Sequence, residues 1–198
     1  MPSFSPSVID LYHADPVADG DWARMRDFGI LGVIHKASQG FTVTDKKYAE
    51  RSARANDEGF LYGAYHFGTN ADVVDQVDNF LSVCQPTPAT LLALDFEPNQ
   101  GGTMSLAQAK EWLTLVYMHT GQRPVIYSGS LLKERLLRPD PFFNAHRLWL
   151  AQYGPVAKMP AGWKRTFLWQ YTGDGVGPSP HAVPGCTLKE ADLNTTGL

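Results

Sequence analysis

The sequence shows its clearest chemistry at Asp95 and Glu97, two acids at the end of the apolar segment 90–97 (TLLALDFE). An apolar run without a polar face at helical spacing predicts a strand that is buried on both sides. Side chains two positions apart in a strand point the same way, so we expect both carboxyl groups on one face, about 6–7 Å apart along the strand. Buried acids are unfavourable unless they have a function, which makes the pair a catalytic candidate. The structural alternative is that one acid caps the next helix and the other forms an ion pair.

Such a pair suits the hydrolysis of a glycosidic bond, which needs one protonated and one ionised carboxyl group. Neighbouring acids push their pKa values apart, so a crowded pocket supplies both states at one pH. Glu97, at the strand end, is the candidate for the proton donor to the leaving oxygen. Asp95 is expected to stay ionised, to stabilise the oxocarbenium-like centre and to steer a substrate N-acetyl group.

The elements that must position these acids alternate between strand and helix over the first two thirds of the chain. Apolar runs predict the strands, while capping residues, apolar stripes at helical spacing and terminal glycines predict the helices. Beyond Pro139 we expect strands separated only by loops. The predicted strands are 7–12, 30–37, 60–67, 90–97, 123–128, 147–153 and 166–171, with a last element at 191–194; the predicted helices begin at Asp21, Asp45, Asn70 and Ser105, with a short fifth helix at 131–137.

Alternating strands and helices indicate parallel strands with right-handed crossovers, and short apolar strands favour a closed barrel. With 198 residues, of which 43% are hydrophobic and 19% charged, the chain fits a single domain, 1–198, at the small end for such a barrel. Direct connections between the last strands would explain the short length. The alternative is an open doubly wound sheet. The Gly-rich phosphate loop typical of that fold is missing after the first strand, where residues 10–13 are DLYH.

The carboxyl ends of barrel strands carry the chemistry, and the residues expected there are acids, aromatics and amides. Flat sugar faces stack on aromatic rings, and sugar hydroxyl groups bond to acids and amides, so this set favours a glycan ligand. Asp10 and Asp192 are expected to orient the catalytic pair and to tune its pKa values. The candidate substrate-binding residues are Tyr12, Tyr65, Tyr127, Gln152, Trp169 and Tyr171.

Composition argues against other partners. The net charge of −3 offers no basic patch for nucleic acid, and no apolar run approaches the roughly 20 residues of a membrane span. Residues 1–6 lack the basic end and apolar centre of a signal peptide, so action at a cell wall would need another export route, such as phage lysis or a secretion system. We expect a monomer. Cys84 and Cys186 form no C-x-x-C pair and are expected as buried free thiols, with a disulfide between them as the alternative.

Several other residues favour structural roles. His66 is expected to be a buried hydrogen-bonding histidine, Trp149 a core residue and Lys133 part of a solvated helix face. The loop 173–184 is either a rim of the groove or plain surface.

A metal site would have to combine the histidines with the acid pair. The candidate ligands are His13, His35, His66, Asp95 and Glu97. No H-x-H or H-x-x-x-H spacing supports such a site, so we expect no metal and no cofactor.

Seven motifs occur in order between residues 8 and 194: an early strand Asp, G-A-Y-H-F, D-x-E, P-V-I-Y-S-G, L-W-L-A-Q-Y, L-W-Q-Y and D-L-N. Together they resemble the glycoside hydrolase family 25 lysozymes. The resemblance implies an α/β fold, a flattened, incomplete TIM-like (β/α)5(β)3 barrel. It also implies an N-acetylmuramidase that cuts the β-1,4 bond between N-acetylmuramic acid and N-acetylglucosamine in peptidoglycan. By motif, the family's acids fall on Asp10, Asp95, Glu97 and Asp192, and its proton donor falls on Glu97.

The chain departs from the family pattern at Tyr12, where the usual Asp-x-Ser has a small residue, so one end of the groove is expected to differ. It also lacks the cell-wall-binding repeats of many members. Two other functions stay open: a metal-dependent phosphoesterase on a similar barrel, which EDTA would inhibit, and a glycan-binding module without catalysis. The setting (phage endolysin, secreted effector or autolysin) and the anomeric outcome (retention or inversion) also stay open.

Overall fold

The computed structural model describes residues 4–197, which form a closed eight-stranded barrel with helices packed around it. The elements in chain order are β1 Val8–Leu11, α1 Asp19–Phe28, β2 Gly32–Gln39, β3 Val43–Thr44, α2 Tyr48–Asp57, β4 Leu61–Phe67, α3 Val73–Cys84, β5 Leu91–Asp95, α4 Leu106–Thr120, β6 Val125–Ser128, α5 Ser130–Arg135, α6 Pro141–Asn144, β7 Leu148–Ala151, β8 Leu168–Thr172 and β9 Asp192–Thr196.

The strands follow one another around the barrel in the order β1-β2-β4-β5-β6-β7-β8-β9, and β1 closes the ring by pairing with both β2 and β9. Neighbouring strands from β1 to β8 are parallel, whereas β9 is antiparallel to β8 and to β1. The short β3 pairs only with β2. Five strand–helix units are followed by three strands, so the predicted (β/α)5(β)3 barrel is confirmed. The short elements β3 and α6 were not predicted.

The ends of the helices follow local chemistry, with three corrections. The second helix, α2, begins at Tyr48 and not at Asp45. Asp21 does not cap α1 but is its third residue and accepts a hydrogen bond from the Ala18 N–H at 3.0 Å. Asp72, not Asn70, caps α3, because its carboxylate accepts from two backbone N–H groups at the start of that helix. The predicted capping box of Ser105 with the third helical residue of α4 is confirmed.

The barrel separates two cores, and the alternation of side chains along each strand decides which residue enters which core. The larger core lies between the barrel and the helices. The smaller one lies inside the barrel and consists of Ile34, Ala93, Val125, Tyr127, Trp149 and Leu168. This inner core forms the floor beneath the strand ends.

Both cysteines are buried and free, as predicted, with Cys84 at the end of α3 and Cys186 against the start of α1. Within residues 4–197, every helix is too short or too polar to traverse a lipid bilayer.

Candidate active site

An acidic cavity of about 400 Å³ opens where the parallel strands end. All four predicted acids line it, although they come from β1, β5, β9 and the segment after β5. The lining acids are Asp10, Asp95, Glu97, Asp174 and Asp192; the other lining residues are Tyr12, Lys36, Tyr65, Phe67, Tyr127, Trp149 and Tyr153.

Asp10 is held by a dense set of hydrogen bonds. Its carboxylate accepts from Gln170 Nε2 at 3.0 and 3.1 Å and from Asn194 Nδ2 at 2.7 Å. Both amides are fixed in turn, because Tyr127 donates to Gln170 Oε1 at 2.8 Å and Trp149 donates to Asn194 Oδ1 at 2.6 Å. Burial raises the pKa of Asp10 to about 7, and the two amide hydrogen bonds act in the opposite direction.

Asp95 is the last residue of β5 and is as deeply buried as Asp10, but its Oδ1 atom has no hydrogen-bond partner among residues 4–197. The strand ends at Asp95, so the prediction of one strand that extends to Glu97 was wrong. Phe96 is fully buried and its N–H donates to the Tyr127 carbonyl at 2.8 Å, which anchors the segment directly after β5. The two acids nevertheless line one cavity.

Glu97 lies nearer the surface than Asp95, in space left by a glycine. A Cβ atom at Gly129 would lie 3.4 Å from Glu97 Oε1 and only 3.0 Å from the Ala151 carbonyl oxygen. Burial raises the pKa of Glu97, and burial together with the Glu97 charge raises the pKa of Asp95 well above its usual value. Two carboxyl groups coupled in this way titrate as a pair that shares a proton.

Asp192 begins β9, and its buried Oδ1 atom has no hydrogen-bond partner in the described part of the chain. Burial, followed by the charges of Asp10 and Asp174, raises its pKa to about 9. Gly173 packs directly on this site, because a Cβ atom there would overlap both Asp192 Oδ1 and the Tyr153 hydroxyl group. Any side chain at this position would displace one of the two.

Three of the predicted sugar-binding aromatics line the cavity, namely Tyr12, Tyr65 and Tyr127. Trp169 and Tyr171 do not, and this part of the prediction was wrong. Both rings are fully buried in the outer core, where they pack on Phe4 at centroid distances of 5.2 and 4.5 Å. In β8 the inward position belongs to Gln170, so its two neighbours must point outward.

Gln152 also lies outside the cavity lining. Its side chain accepts from Lys133 Nζ at 2.5 Å and donates to the Val156 carbonyl at 2.7 Å. Trp149, expected in the core, does belong to the inner core, but it also lines the cavity.

The sequence analysis assigned no role to two charged residues of the cavity, Lys36 and Asp174. The position of Lys36 at the end of the second strand was a usable signal. Asp174 sits in a Gly/Pro-rich loop in a left-handed conformation (φ 50°), and no local pattern predicts where that loop folds. The start of the loop 173–184 is thus part of the rim.

The three histidines considered as metal ligands lie outside the cavity. His66 is buried, bonds to Ser38 Oγ at 2.8 Å and to Gln76 Oε1 at 3.2 Å, and stacks on a tryptophan of α4. Burial lowers its pKa to about 4, so it is a neutral structural histidine as predicted. His13 contacts Asp45 at 3.0 Å. His35 contacts an arginine of α2 at 3.2 Å.

Comparison with known proteins places this geometry in a family. The profile described as "Glycosyl hydrolases family 25" matches residues 9–179. The "Uncharacterized protein YegX" of Escherichia coli O6:H1 is 31% identical over 194 residues, which cover 90% of this chain and 70% of the relative.

Solved structures of similar fold support the same family. The muramidase from Acremonium alcalophilum is 26% identical with a TM-score of 0.79, covering 95% of this chain and 91% of that one. The bacterial lysozyme from Streptomyces coelicolor, at 22% identity, shares the fold with a TM-score of 0.78 over 98% of this chain and 93% of that one. The chain therefore belongs to glycosyl hydrolases family 25 and is a glycoside hydrolase.

Proposed function

We propose that this protein is a lysozyme, an N-acetylmuramidase that hydrolyses the β-1,4 bond between N-acetylmuramic acid and N-acetylglucosamine in peptidoglycan. The observation that carries the proposal is the acidic cavity, where coupled acids with unpartnered oxygens face a set of aromatic rings at the strand ends of a family 25 barrel. The muramidase and lysozyme named above support the choice of peptidoglycan, and we place the site of action at the cell wall.

Glu97 is the proposed proton donor to the leaving glycosidic oxygen. It is less buried than Asp95, and burial raises its pKa, which favours the protonated carboxyl group that a proton donor needs. Gly129 leaves room for this carboxyl group to approach a bound sugar. Proton transfer as the glycosidic bond breaks would leave Glu97 ionised and able to accept a proton from the incoming water.

Asp95 is the proposed ionised partner that stabilises positive charge at the anomeric carbon. Burial and the Glu97 charge both oppose the ionised form of Asp95 and raise its pKa. A substrate N-acetyl group changes this balance, since its N–H can donate to the free Oδ1 atom and so favour the ionised form. The same hydrogen bond would orient the acetamido carbonyl toward the anomeric carbon.

Asp10 and Asp192 are the proposed tuning residues. Asp10 joins the end of β1 to β8 and β9 through Gln170 and Asn194, and these hydrogen bonds fix its part of the cavity wall. A negative charge on either acid opposes the ionisation of its neighbours. The raised pKa of Asp192 shows this effect: burial is its largest cause, and the charge of Asp10 is the next. Tyr12, Tyr65 and Tyr127 are the proposed stacking and hydrogen-bonding surface for the sugar rings.

The test is digestion of purified peptidoglycan by the wild type and by Glu97→Gln, with the new reducing ends counted and the products identified by mass. We expect wild-type protein to release fragments with reducing N-acetylmuramic acid ends, with and without EDTA. Removing a general acid typically costs about 10²–10⁴-fold in rate, so Glu97→Gln should fall by at least that range.

The matched control is Glu111→Gln on the exposed face of α4, which should keep full activity. A Glu97→Gln enzyme with near wild-type turnover would remove Glu97 from the mechanism. Binding of glycan fragments without any new reducing ends would instead support a non-catalytic module.

A further inference from the structure

We propose that Lys36 is a positioning residue of this site, a counter-ion whose charge keeps Asp95 ionised so that Glu97 retains the proton that the pair shares. The expected effect on the rate of hydrolysis rests on the proposed function. The effect of Lys36 on the ionisation of Asp95 is argued from the geometry of the cavity alone.

Lys36 enters the acidic cavity from β2 and is the one cation among the described residues that line it. Its Nζ atom donates to Gln39 Oε1 at 2.6 Å and lies 5.1 Å from the centre of the Phe67 ring. Gln39 is opposite Phe67 in the β2–β4 register, and Phe67 is opposite Asp95 in the β4–β5 register. The ammonium group therefore extends along β2 to the level of Asp95.

The charge of Lys36 is not neutralised within its own strand. Gln39 is a neutral acceptor, and within residues 4–197 no carboxylate forms an ion pair with Lys36. Phe67 adds a ring face that favours a cation over it. Across the cavity, Asp95 has a buried oxygen without a hydrogen-bond partner. An uncompensated cation and an unpartnered carboxylate thus share one enclosed space, where charges interact more strongly than in water.

The groups around Lys36 and Asp95 determine how strongly each of the two is ionised. Burial lowers the pKa of Lys36, while the charges of Asp95 and Asp45 raise it, so opposing effects act on the ammonium. Burial and Glu97 raise the pKa of Asp95, and Lys36 is the group that lowers it. The other titratable groups that line the cavity are Asp10, Tyr12, Tyr65, Tyr127, Tyr153, Asp174 and Asp192. Outside the cavity, the charge of Lys36 also lowers the pKa of His66, after burial. Among residues 4–197 no cation is a cause of the Glu97 pKa shift, so the Lys36 charge favours ionisation of Asp95 selectively.

The experiment measures which carboxyl group loses its proton first. Carboxyl carbons of Asp95 and Glu97 are followed by ¹³C NMR titration in the intact protein, with assignments from Asp95→Asn and Glu97→Gln. In the wild type, Asp95 should ionise first. An opposite charge at short range typically shifts a carboxyl pKa by about 1–3 units, so in Lys36→Met the Asp95 transition should move up by about one unit or more, and Glu97 should ionise first.

Two further variants and one control separate charge from packing. Lys36→Arg keeps the charge and should restore the wild-type order of ionisation. Gln39→Glu places a carboxylate beside Lys36 Nζ and should shift Asp95 in the same direction as Lys36→Met, by a smaller amount. Lys47→Met, which removes a surface cation that pairs with Glu50, should leave both transitions unchanged.

The kinetic readout is the pH profile on peptidoglycan. In Lys36→Met the acid limb of kcat/KM should move to higher pH by about one unit and kcat should fall, because the proton then rests on the wrong partner. An unchanged Asp95 titration in both Lys36→Met and Gln39→Glu would overturn the inference. Failure of the wild type to cleave peptidoglycan would reject the proposed function, while the NMR titration would still decide the role of Lys36.

Discussion

Asp10 and Asp95 face the same cavity with the same exposed fraction, 7% each, yet their surroundings are opposite. Asp10 accepts three hydrogen-bond contacts from two amide side chains that are themselves held by Tyr127 and Trp149. Asp95 has a buried oxygen with no partner. Burial therefore does not distinguish the two acids; their hydrogen-bond partners do.

The difference indicates that the two acids have different roles in the site. A buried polar network that is fully satisfied makes the structure rigid, whereas a buried polar atom without a partner costs about 1–3 kcal/mol that a ligand can recover. We therefore expect Asp10 to stabilise the barrel through its hydrogen bonds, and the free oxygen of Asp95 to accept a hydrogen bond from the substrate. The comparison predicts that substitutions at the two positions separate activity from stability.

The largest effect is expected at Asp95. Asp95→Asn should reduce turnover of peptidoglycan by about 10²-fold or more, because a neutral amide cannot stabilise positive charge at the anomeric carbon. The midpoint of thermal unfolding should stay at the wild-type value or rise, since a buried carboxyl group without a partner is replaced by a neutral group of equal size. Calorimetry and release of reducing ends check the two halves. A large loss of stability would show that Asp95 has structural partners in solution.

At Asp10 we expect a loss of stability, which is not expected at Asp95. In Asp10→Asn, the new amide N–H₂ faces the N–H₂ groups of Gln170 and Asn194, so at least one donor loses its acceptor. Leaving buried donors unsatisfied should lower the free energy of unfolding by about 1–3 kcal/mol, measured by urea denaturation. Asp78→Asn, on the exposed face of α3, is a control outside this network. An Asp10→Asn protein as stable as the wild type would contradict the structural role.

A smaller effect concerns the pH dependence of stability. Asp10 and Asp192 have folded pKa values raised by burial to about 7 and about 9, from an ordinary value of 3.8. The folded state thus holds more protons, so these groups stabilise it below pH 3.8 and that contribution is lost as the pH rises through 7 and 9. Unfolding free energy should fall over this window. Asp192→Asn should flatten the fall between pH 7 and 9; an unchanged slope would argue against a raised pKa.

The smallest effect is expected at the aromatics, where inner and outer cores can be compared. Trp169→Phe removes a hydrogen bond from Nε1 to the Gln152 carbonyl at 2.8 Å in the outer core. It should cost about 1 kcal/mol of stability and leave KM unchanged. Tyr65→Leu removes a ring from the cavity wall and should raise KM several-fold. A raised KM in Trp169→Phe would instead indicate that this ring contacts the substrate.

Local physics was enough to predict much of the molecule. Apolar runs and helical stripes predicted the strand–helix order, because burial patterns repeat at the period of each element. The Ser105 capping box and the glycines that end α1 and α4 in left-handed conformations follow from nearest-neighbour chemistry. The acids could be gathered at one end of a barrel because parallel strands all end on the same side.

Only the tertiary structure decided which neighbours of those acids reach the cavity. In β8 the inward face falls on Gln170 because its amide meets Asp10, which lies 160 positions earlier in the chain, and this turns Trp169 and Tyr171 outward. Trp149 lines the cavity for the corresponding reason, through its bond to Asn194. In a strand that is apolar on both faces, partners distant in sequence determine which side chains point into the barrel. Local periodicity carries no information about those partners.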